Sequence, residues 1–340
     1  MVRKRKRHLL LLVVLLFAAL LIVFTFYENH HVLVRTVDIT LPDLPKAFDG
    51  FSILQISDLH GESFGTHQAD LLNLIHQTPH DILVFTGDMN PDYNADVCAA
   101  VQDLITGLQG ETMFWVDGNC GPYAVYSAYG VPSGQLTPSG VMLTQMGVQI
   151  LTEPVPIMRN GDCIFLTPKF SLSQIQDNLR IGNRIMHIEG LDWSAMADYY
   201  ARLQRWYIHL TEQDHTIIAI AHFPEQSYLS ELAAQTNPLP YDLMICGHTH
   251  GGQIRLPIIG AIYIPSASTD HGGWFPAEKD TRGLSRVNGV LQYISAGLGA
   301  SHRIPFLAFR FNCPPEINQI ILHCANPAES GEENLPRSSE

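Results

Sequence analysis

The hydrophobic and polar positions of the chain predict three stretches of different structure. Leu9–Tyr27 is a predominantly apolar run of nineteen residues without a charge. From about residue 32 to residue 250, short apolar runs alternate with longer runs whose apolar residues recur at helical spacing. Short alternating segments follow, and the chain ends in a polar tail rich in Ser, Glu and Pro. The pattern predicts an apolar anchor, a globular body and a disordered tail over residues 326–340.

The apolar run has the length of a membrane-spanning helix. At about 1.5 Å per residue it covers about 28 Å, close to the thickness of the bilayer hydrocarbon. Because the basic run Arg3–Arg7 precedes it, residues 1–8 are expected in the cytoplasm, residues 9–27 as a transmembrane signal anchor, and the chain from Glu28 onward outside. No small-x-small cleavage site is visible in Phe24–His31. A cleaved signal and a twin-arginine export route stay open as alternatives, although no adjacent Arg-Arg pair is present.

The central stretch alternates predicted strands with predicted amphipathic helices, which is typical of an α/β fold. The strands are expected at Val32–Leu41, Phe51–Ile56, Asp81–Thr86, Thr112–Val116, Thr216–Ala221 and Leu243–Cys246, and the helices at Gln68–Gln77, Val97–Leu108, Pro138–Met146, Trp193–Leu210 and Leu229–Ala234. Polar residues follow the strands from Phe51 onward, and open α/β sheets bind their ligands at this edge. Functional residues are therefore expected at the carboxyl ends of these strands.

Later segments with alternating apolar residues are expected to form a second block of strands. They are Gln253–Leu256, Gly260–Ile264, Gly283–Val287, Leu291–Ser295 and Ile317–Leu322. Between residues 123 and 184 the pattern is weaker and adds the strands Val148–Leu151 and Cys163–Leu166 and a polar surface excursion at Ser171–Arg184. Residues 28–50 are thus expected to be a linker with the first strand, and residues 51–325 a single domain.

Composition and charge narrow the class of protein. The chain of 340 residues is 46% hydrophobic and 16% charged, which suits one catalytic domain with appendages. Without the five basic residues before the apolar run, 15 basic residues face 33 acidic ones, a charge near −18. A body this acidic argues against a nucleic-acid partner and suits a site in which bound cations supply the positive charge. The six cysteines include no CxxC pair, so disulfide pairing stays open.

The predicted strand ends carry residues of the types that bind transition metals. Gly247–His250 places two imidazoles one residue apart on a turn after the strand Leu243–Cys246. Two Asp, four His and one Asn are too rich in imidazole for calcium and suit Mn, Fe, Zn or Co. Seven ligands exceed what one catalytic ion needs and fit two ions about 3.5–4 Å apart that share a carboxylate. The seven residues are Asp58, His60, Asp88, Asn119, His222, His248 and His250.

In this order, the motifs resemble those of the calcineurin-like metallophosphoesterases. The matching motifs are Asp-x-His at 58–60, Gly-Asp at 87–88, Gly-Asn at 118–119, the lone His222, and Gly-His-x-His at 247–250. The membrane-anchored or exported bacterial branch is closer still, because this chain also has the segments Ile56–Gly61, Phe64-Gly65, Ser295–Gly299 and Pro315–Ile317. The resemblance implies an α/β fold of two face-to-face β-sheets flanked by helices, here after an N-terminal transmembrane helix.

The resemblance also implies a role for each of the seven residues. Asp58, His60 and His250 would hold the first metal ion, and Asn119, His222 and His248 the second. Asp88 would bridge the two ions. Hydrolysis of a phosphoester or pyrophosphate bond would then proceed by attack of a metal-bridging hydroxide.

One position departs from the family pattern, because Cys120 follows Asn119 where the family has a catalytic histidine. That histidine is thought to protonate the leaving group, and general acid catalysis contributes about 10²–10⁴-fold. We consider three hypotheses for the absence of this histidine, in decreasing order of preference. The substrate has a leaving group that needs no acid, or His271 or Tyr123 substitutes, or the domain binds metal and phosphate without turnover. Cys120 itself is expected to be a small filler near the site rather than a nucleophile.

Together these observations predict a membrane-anchored phosphoesterase with two divalent metal ions and an extracytoplasmic catalytic domain. Its expected substrate is a phosphorylated small molecule, with lipid-linked and nucleotide-derived compounds as candidates. The alternative is a non-catalytic metal-binding scaffold. The sequence does not define the oligomeric state.

Overall fold

The computed structural model describes residues 2–128, 131–170, 192–225, 241–264, 273–287, 289–301 and 308–325. Within these ranges the chain forms five α-helices and sixteen β-strands. The helices are α1 Val2–Asn29, α2 Ala69–Gln77, α3 Ala99–Gly107, α4 Pro138–Gln145 and α5 Trp193–Glu212. The strands are β1 Leu33–Leu41, β2 Ser52–Ile56, β3 Ile82–Phe85, β4 Met113–Trp115, β5 Val125–Ala128, β6 Val131–Leu136, β7 Val148–Ile150, β8 Val155–Arg159, β9 Asp162–Pro168, β10 Ile217–Ile220, β11 Leu243–Cys246, β12 Arg255–Leu256, β13 Gly260–Ala261, β14 Gly283–Val287, β15 Val290–Ile294 and β16 Glu316–Cys324.

Two six-stranded sheets form the body. The first has the strand order β1-β16-β2-β3-β4-β7, and the second β14-β15-β11-β10-β9-β8. In the first sheet the pair β16–β2 is antiparallel and the other pairs are parallel. In the second sheet the central strands β15, β11, β10 and β9 run parallel, and the edge strands β14 and β8 are antiparallel to their neighbours. The parallel strands thus present their carboxyl ends along one edge of each sheet.

The sheets pack face to face, and helices cover their outer faces. Ile53 and Val84 of the first sheet belong to one buried cluster with Ile218 and Ile245 of the second. The alternate residues of the first sheet, such as Leu54, face a second cluster that includes residues of α2, α3 and α4. A third cluster joins α5 to the outer face of the second sheet. Because strands such as β3 are buried on both faces, they read as continuous apolar runs in the sequence. The predicted α/β fold of two facing sheets flanked by helices is confirmed.

The late strands do not form one block, contrary to expectation. β16 enters the first sheet between β1 and β2, while β14 and β15 complete the second sheet. β12 and β13 are short and pair only as a separate two-stranded ribbon. An alternating pattern predicts a strand, but the partner of that strand is decided by long-range packing.

Three strands between residues 123 and 184, β5, β6 and β8, were not predicted from the sequence. β5 and β6 form a hairpin, and β8 pairs antiparallel with β9. The predicted excursion at Ser171–Arg184, the predicted helix at Leu229–Ala234 and the predicted disordered tail lie outside the described residues. All six cysteines lie within them, and each is free.

Helix α1 extends the predicted apolar run at both ends and is connected to the body by a short link. Its segment Arg5–Asn29 is the one helix in the described part of the chain that is long and apolar enough to cross a bilayer. The Asn29 side chain donates a 2.7 Å hydrogen bond to the carbonyl of Arg310 and accepts one of the same length from its amide. Glu28 accepts a hydrogen bond from the amide of Asn312. The end of the helix is therefore held against the loop that precedes β16.

Candidate metal centre

The seven predicted ligands lie together where the two sheets meet. Three strands of the first sheet and two of the second deliver them, each just beyond a carboxyl end: Asp58 and His60 after β2, Asp88 after β3, Asn119 after β4, His222 after β10, and His248 and His250 after β11. All are buried except Asn119, which is partly buried. The structure thus brings together all seven residues that the sequence analysis singled out.

A first group of side chains surrounds the ring of His60. Its Nε2 atom lies 3.3 Å from Nε2 of His250 and 3.7 Å from Oδ2 of Asp88. Nε2 of His250 lies 3.7 Å from Oδ1 of Asp58. Four donor atoms from three strand ends therefore converge on one small volume.

A second group surrounds the ring of His222. Its Nε2 atom lies 3.0 Å from Oδ1 of Asn119, 3.0 Å from Nδ1 of His248 and 3.3 Å from Oδ1 of Asp88. Asp88 thus directs Oδ2 towards the first group and Oδ1 towards the second. One carboxylate joins the two groups.

The orientation of the histidine rings and the 3.0–3.3 Å spacing of the atoms around Nε2 of His222 suit a divalent cation. Ligand atoms that share an ion at about 2.1 Å lie about 3.0–3.4 Å from one another. Nδ1 of His222 is 2.8 Å from the carbonyl of Thr86, and Nδ1 of His250 is 3.2 Å from the carbonyl of Gly299. Because a carbonyl only accepts, each Nδ1 donates to its carbonyl, which leaves Nε2 as the ring nitrogen directed into the site. These residues fit bound divalent cations.

Unusual backbone conformations hold the ligands in place. Asp58, His60, Asp88, His248 and His250 all have positive φ, between 50° and 74°. Residues with side chains rarely adopt this region, and it is concentrated at functional sites, where the surrounding structure compensates for the strain. The ligand-bearing turns are thus shaped for the site at some cost in local stability.

Two glycines allow the turns to approach each other closely. A Cβ atom on Gly247 would lie 2.0 Å from Oγ of Ser57 and 2.4 Å from Oδ2 of Asp58. A Cβ atom on Gly118 would lie 2.1 Å from Oδ1 of Asp88. Gly118 and Gly247 are therefore each required by the side chain opposite them.

The charges at the site favour a bound cation. Burial raises the pKa of Asp58 to about 6, partly offset by His222. Burial also acts to raise the pKa of Asp88, but the neighbouring His222 and His60 outweigh it, and the pKa of Asp88 is lowered. Burial lowers the pKa of His222, but Asp88 outweighs this and raises it to about 9. The carboxylates thus stabilise positive charge in this buried volume.

Cys120 and Tyr123 lie beside the ligands. The sulfur of Cys120 is within 4.8 Å of donor atoms of His60 and Asp88, and its amide donates a 2.6 Å hydrogen bond to Oδ1 of Asp88. Burial and then Asp88 and Asp58 raise the pKa of the Cys120 thiol to about 12. Tyr123 donates a hydrogen bond to the carbonyl of Asn119, and burial raises its pKa to about 12. His271, the other candidate acid, lies outside the described residues.

Arg310 supports the site and was missed by the sequence analysis. It is 1% exposed, and its guanidinium donates to the carbonyls of Ala296 and Gly299, at 2.6 Å each, and to that of His250 at 3.4 Å. The carbonyl of Gly299 is the same one that orients the His250 ring. In the sequence, Arg310 lies between Phe309 and Phe311, and this pattern matches no metal-binding motif.

Comparisons with known proteins agree with this geometry. Residues 51–252, more than half of the chain, match the model of a family described as calcineurin-like phosphoesterase. The chain is 27% identical over 304 residues to the "Uncharacterized metallophosphoesterase YkuE" of Bacillus subtilis, covering 86% of this chain and 87% of that protein.

Two further relatives match to different extents. The "Phosphodiesterase YaeI" of Escherichia coli is 32% identical over 83 residues, which is 24% of this chain and 26% of that protein. The "Transmembrane protein with metallophosphoesterase domain" of Bos taurus is 24% identical over 306 residues, or 86% of this chain and 57% of that protein. The second of these similarities, together with α1, points to membrane association.

Proposed function

The chain belongs to the calcineurin-like phosphoesterase family, and on that premise we propose that it hydrolyses phosphoester or pyrophosphate bonds with two divalent cations held at the strand ends. Membership makes it a hydrolase of phosphoester bonds that uses divalent metal. The orientation of Asp88 supports two ions most directly. Its two oxygens face two separate histidine groups, at 3.7 Å and 3.3 Å, as a shared carboxylate in a two-metal site does.

The remaining ligands divide into two sets in this proposal. Asp58, His60 and His250 hold one ion, Asn119, His222 and His248 the other, and Asp88 both. Imidazole-rich sets of this kind take Mn, Fe, Zn or Co. When bound, the cations supply positive charge that polarises a phosphoryl oxygen and acidifies a water molecule.

The protein's own groups then orient the ligands and exclude water. The carbonyls of Thr86 and Gly299 hold Nδ1 of His222 and of His250, so that neither ring has to rotate when an ion binds. Because the pKa of His222 is raised to about 9, its Nε2 proton would leave as the ion binds. Ser57 donates a hydrogen bond to Asp58, which leaves the other oxygen directed at the first group. Burial of the site keeps bulk water from screening its charges.

Among the residues that the structure describes, the two candidate acids Cys120 and Tyr123 are weak proton donors to a leaving group. A donor with a pKa of about 12, as in Cys120 and Tyr123, transfers its proton poorly at neutral pH. We therefore propose a substrate whose leaving group departs without an acid, such as a pyrophosphate or an activated diester. Small phosphorylated, lipid-linked and nucleotide-derived compounds all include such groups.

Membrane association has a proposed orientation as well. Arg3–Arg7 precedes the apolar part of α1, and basic residues of this kind stay in the cytoplasm. We propose a single-pass protein with residues 1–8 in the cytoplasm, the anchor at 9–27, and the phosphoesterase domain at 51–325 outside.

The enzymatic proposal is tested with purified full-length protein loaded with Mn²⁺ and the substrate bis-p-nitrophenyl phosphate. Release of p-nitrophenol is expected from the wild type. Asp88→Asn should reduce it by more than the ~10–100-fold loss typical of substitutions outside the ligand shell. A wild type that is no faster than Asp88→Asn contradicts the proposal.

A second candidate is a metal-binding scaffold without turnover, which Cys120 favours because a thiol stands where the family has a histidine. Cys120→His separates the two. A gain of about 10²–10⁴-fold from near-zero activity supports the scaffold, since that is the contribution of a general acid. Little change or a loss supports a native enzyme built around Cys120.

A further inference from the structure

A large cavity opens beside the second group of ligands. Its volume is about 910 Å³, within the range of pockets that bind small molecules, and Asn119 and His222 form part of its wall. Tyr126 and Phe223 also line it and are 38% and 49% exposed, so the cavity reaches the protein surface. A molecule with its phosphate at Asn119 and His222 would extend into this space.

The remainder of the wall is mainly apolar. The hairpin β5–β6, the strand ends and α5 supply it with side chains that include Val125, Leu151, Phe170, Tyr199 and Leu203. The hydroxyl of Tyr199 donates to the carbonyl of Thr152, and that of Tyr200 donates to Pro132. These two tyrosines therefore direct their donors into the protein and offer mainly ring surface to the cavity.

The charged groups in the wall are also engaged within the protein. Lys169 forms an ion pair with Glu225 at 2.5 Å. Asp117 accepts hydrogen bonds from the amides of Ala124 and Val125 and from the indole of Trp115. A nucleobase or sugar would need free donors and acceptors here, whereas an aliphatic chain would not.

We propose that this cavity binds the apolar chain of an amphipathic phosphoester whose phosphate lies at the metal centre. This inference rests on the proposed function and specifies its substrate class: an ester or diphosphate with a long aliphatic group, in preference to a nucleotide. The N-terminal membrane helix places the protein where such compounds occur. Chain length should therefore control the specificity of the enzyme.

The test uses Mn²⁺-loaded full-length protein in lipid nanodiscs and a series of alkyl p-nitrophenyl phosphates from methyl to octyl. A fully buried methylene improves binding about fourfold, so kcat/KM should rise about two- to fourfold per methylene, mainly through KM. Leu203→Trp fills the cavity from α5, and Ser127→Trp narrows it from an exposed position of β5 where the fold tolerates a larger side chain. Both variants should flatten the dependence on chain length.

Ile208→Trp is the matched control, because Ile208 is an exposed residue of α5 that does not line the cavity. Ile208→Trp should keep the wild-type dependence of kcat/KM on chain length. Because partition of the longer esters into lipid is the same for all variants, comparison with this control corrects for it. The proposal is overturned if kcat/KM is independent of chain length, or if the slope is the same in all four proteins.

Direct binding separates this proposal from the proposed function. Octylphosphonate and methylphosphonate are titrated into the same proteins by calorimetry. If no ester is hydrolysed, the proposed function fails, but tighter binding of octylphosphonate that is lost in Leu203→Trp and Ser127→Trp still supports the cavity. Equal affinity for the two phosphonates in the wild type overturns the cavity proposal, whatever the activity.

Discussion

The Asp88 carboxylate lies between the two groups of candidate ligands. Its position depends on its hydrogen bonds and on the close approach of the Gly118 backbone. Its Oδ1 atom accepts the amide hydrogen of Cys120 and faces His222, while Oδ2 faces His60. Gly118 passes so close that a Cβ atom there would overlap Oδ1. A single methyl group opposite Asp88 should therefore disturb both groups of ligands.

Gly118→Ala provides this test. The new methyl group displaces Asp88, and we expect Mn²⁺ affinity to fall about 10- to 100-fold, as it does when groups that position ligands are lost. Metal content after dialysis against graded Mn²⁺ measures the change. Gly110→Ala is the control for backbone strain away from the site. Its Cβ atom would meet nothing within 4 Å, its φ of +99° makes an alanine unfavourable, and it lies before the amino end of β4, opposite the end that carries Asn119. Equal Mn²⁺ affinity in the two variants would show that Asp88 keeps its position despite the methyl group added at residue 118.

The sequence predicted that the seven candidate ligands lie together at the strand ends, but it did not predict their geometry. Asp58 and His60, like the other five, follow apolar runs short enough to be strands, and strand ends meet at one edge. The positive φ values of Asp58 and His60 leave no signature in the residue types, since both are adopted only because the packed turns require them. Arg310 was missed for a related reason: its partners are backbone carbonyls, which no side-chain motif encodes.

At the scale of elements, the loop before β16 links α1 to the turn after β11. Arg310 on this loop donates to Ala296, Gly299 and His250, and its own backbone is bonded to Asn29 of the helix. A buried guanidinium that satisfies several carbonyls leaves them without partners when it is removed. The loop is therefore a structural support for both the helix junction and the metal centre.

Arg310→Met should reveal this support. It keeps most of the side-chain volume but removes the donors, and unsatisfied buried acceptors cost about 1–3 kcal/mol in the free energy of unfolding. Urea unfolding in detergent measures the loss. Arg202→Met, which breaks a half-exposed ion pair with Glu153, should cost less than about 1 kcal/mol. A smaller loss for Arg310→Met than for Arg202→Met would refute the role.

Helices and strands were predicted correctly where a local sequence pattern defines them. The prediction failed where long-range strand pairing determines the structure. The alternation of β2, β3 and β4 with α2 and α3 predicted an α/β arrangement, and in the structure the three strands are parallel neighbours. β16 was recognised as a strand but not as a member of the first sheet, because its partners β1 and β2 lie more than 250 residues earlier in the chain. The β5–β6 hairpin has no clean alternation and was missed.

At the scale of the whole molecule, a basic start, an apolar helix and an acidic body make the chain electrically asymmetric. The basic residues in the first turns of α1 favour the cytoplasmic side, and the body with its charge near −18 contains the phosphoesterase fold. This asymmetry is the basis of the proposed orientation.

Reporter fusions after Glu340 test the orientation. An alkaline-phosphatase reporter, which folds only outside the cytoplasm, should be active, and a fluorescent protein that matures only in the cytoplasm should be dark. The same fusions on a chain without residues 9–27 should give the reverse. Fluorescence of the full-length fusion with an inactive phosphatase would place the domain in the cytoplasm.

The short connection between α1 and the body has a consequence for kinetics. Three residues separate the helix from β1, and the bonds of Glu28 and Asn29 hold the junction rigid. A protein anchored by α1 in the proposed way would not sample the bulk volume and would meet the proposed lipid-borne substrate by lateral diffusion alone. Its turnover would follow the mole fraction of substrate in the bilayer, so that adding inert lipid slows it while diluting the whole suspension with buffer leaves the rate per enzyme unchanged.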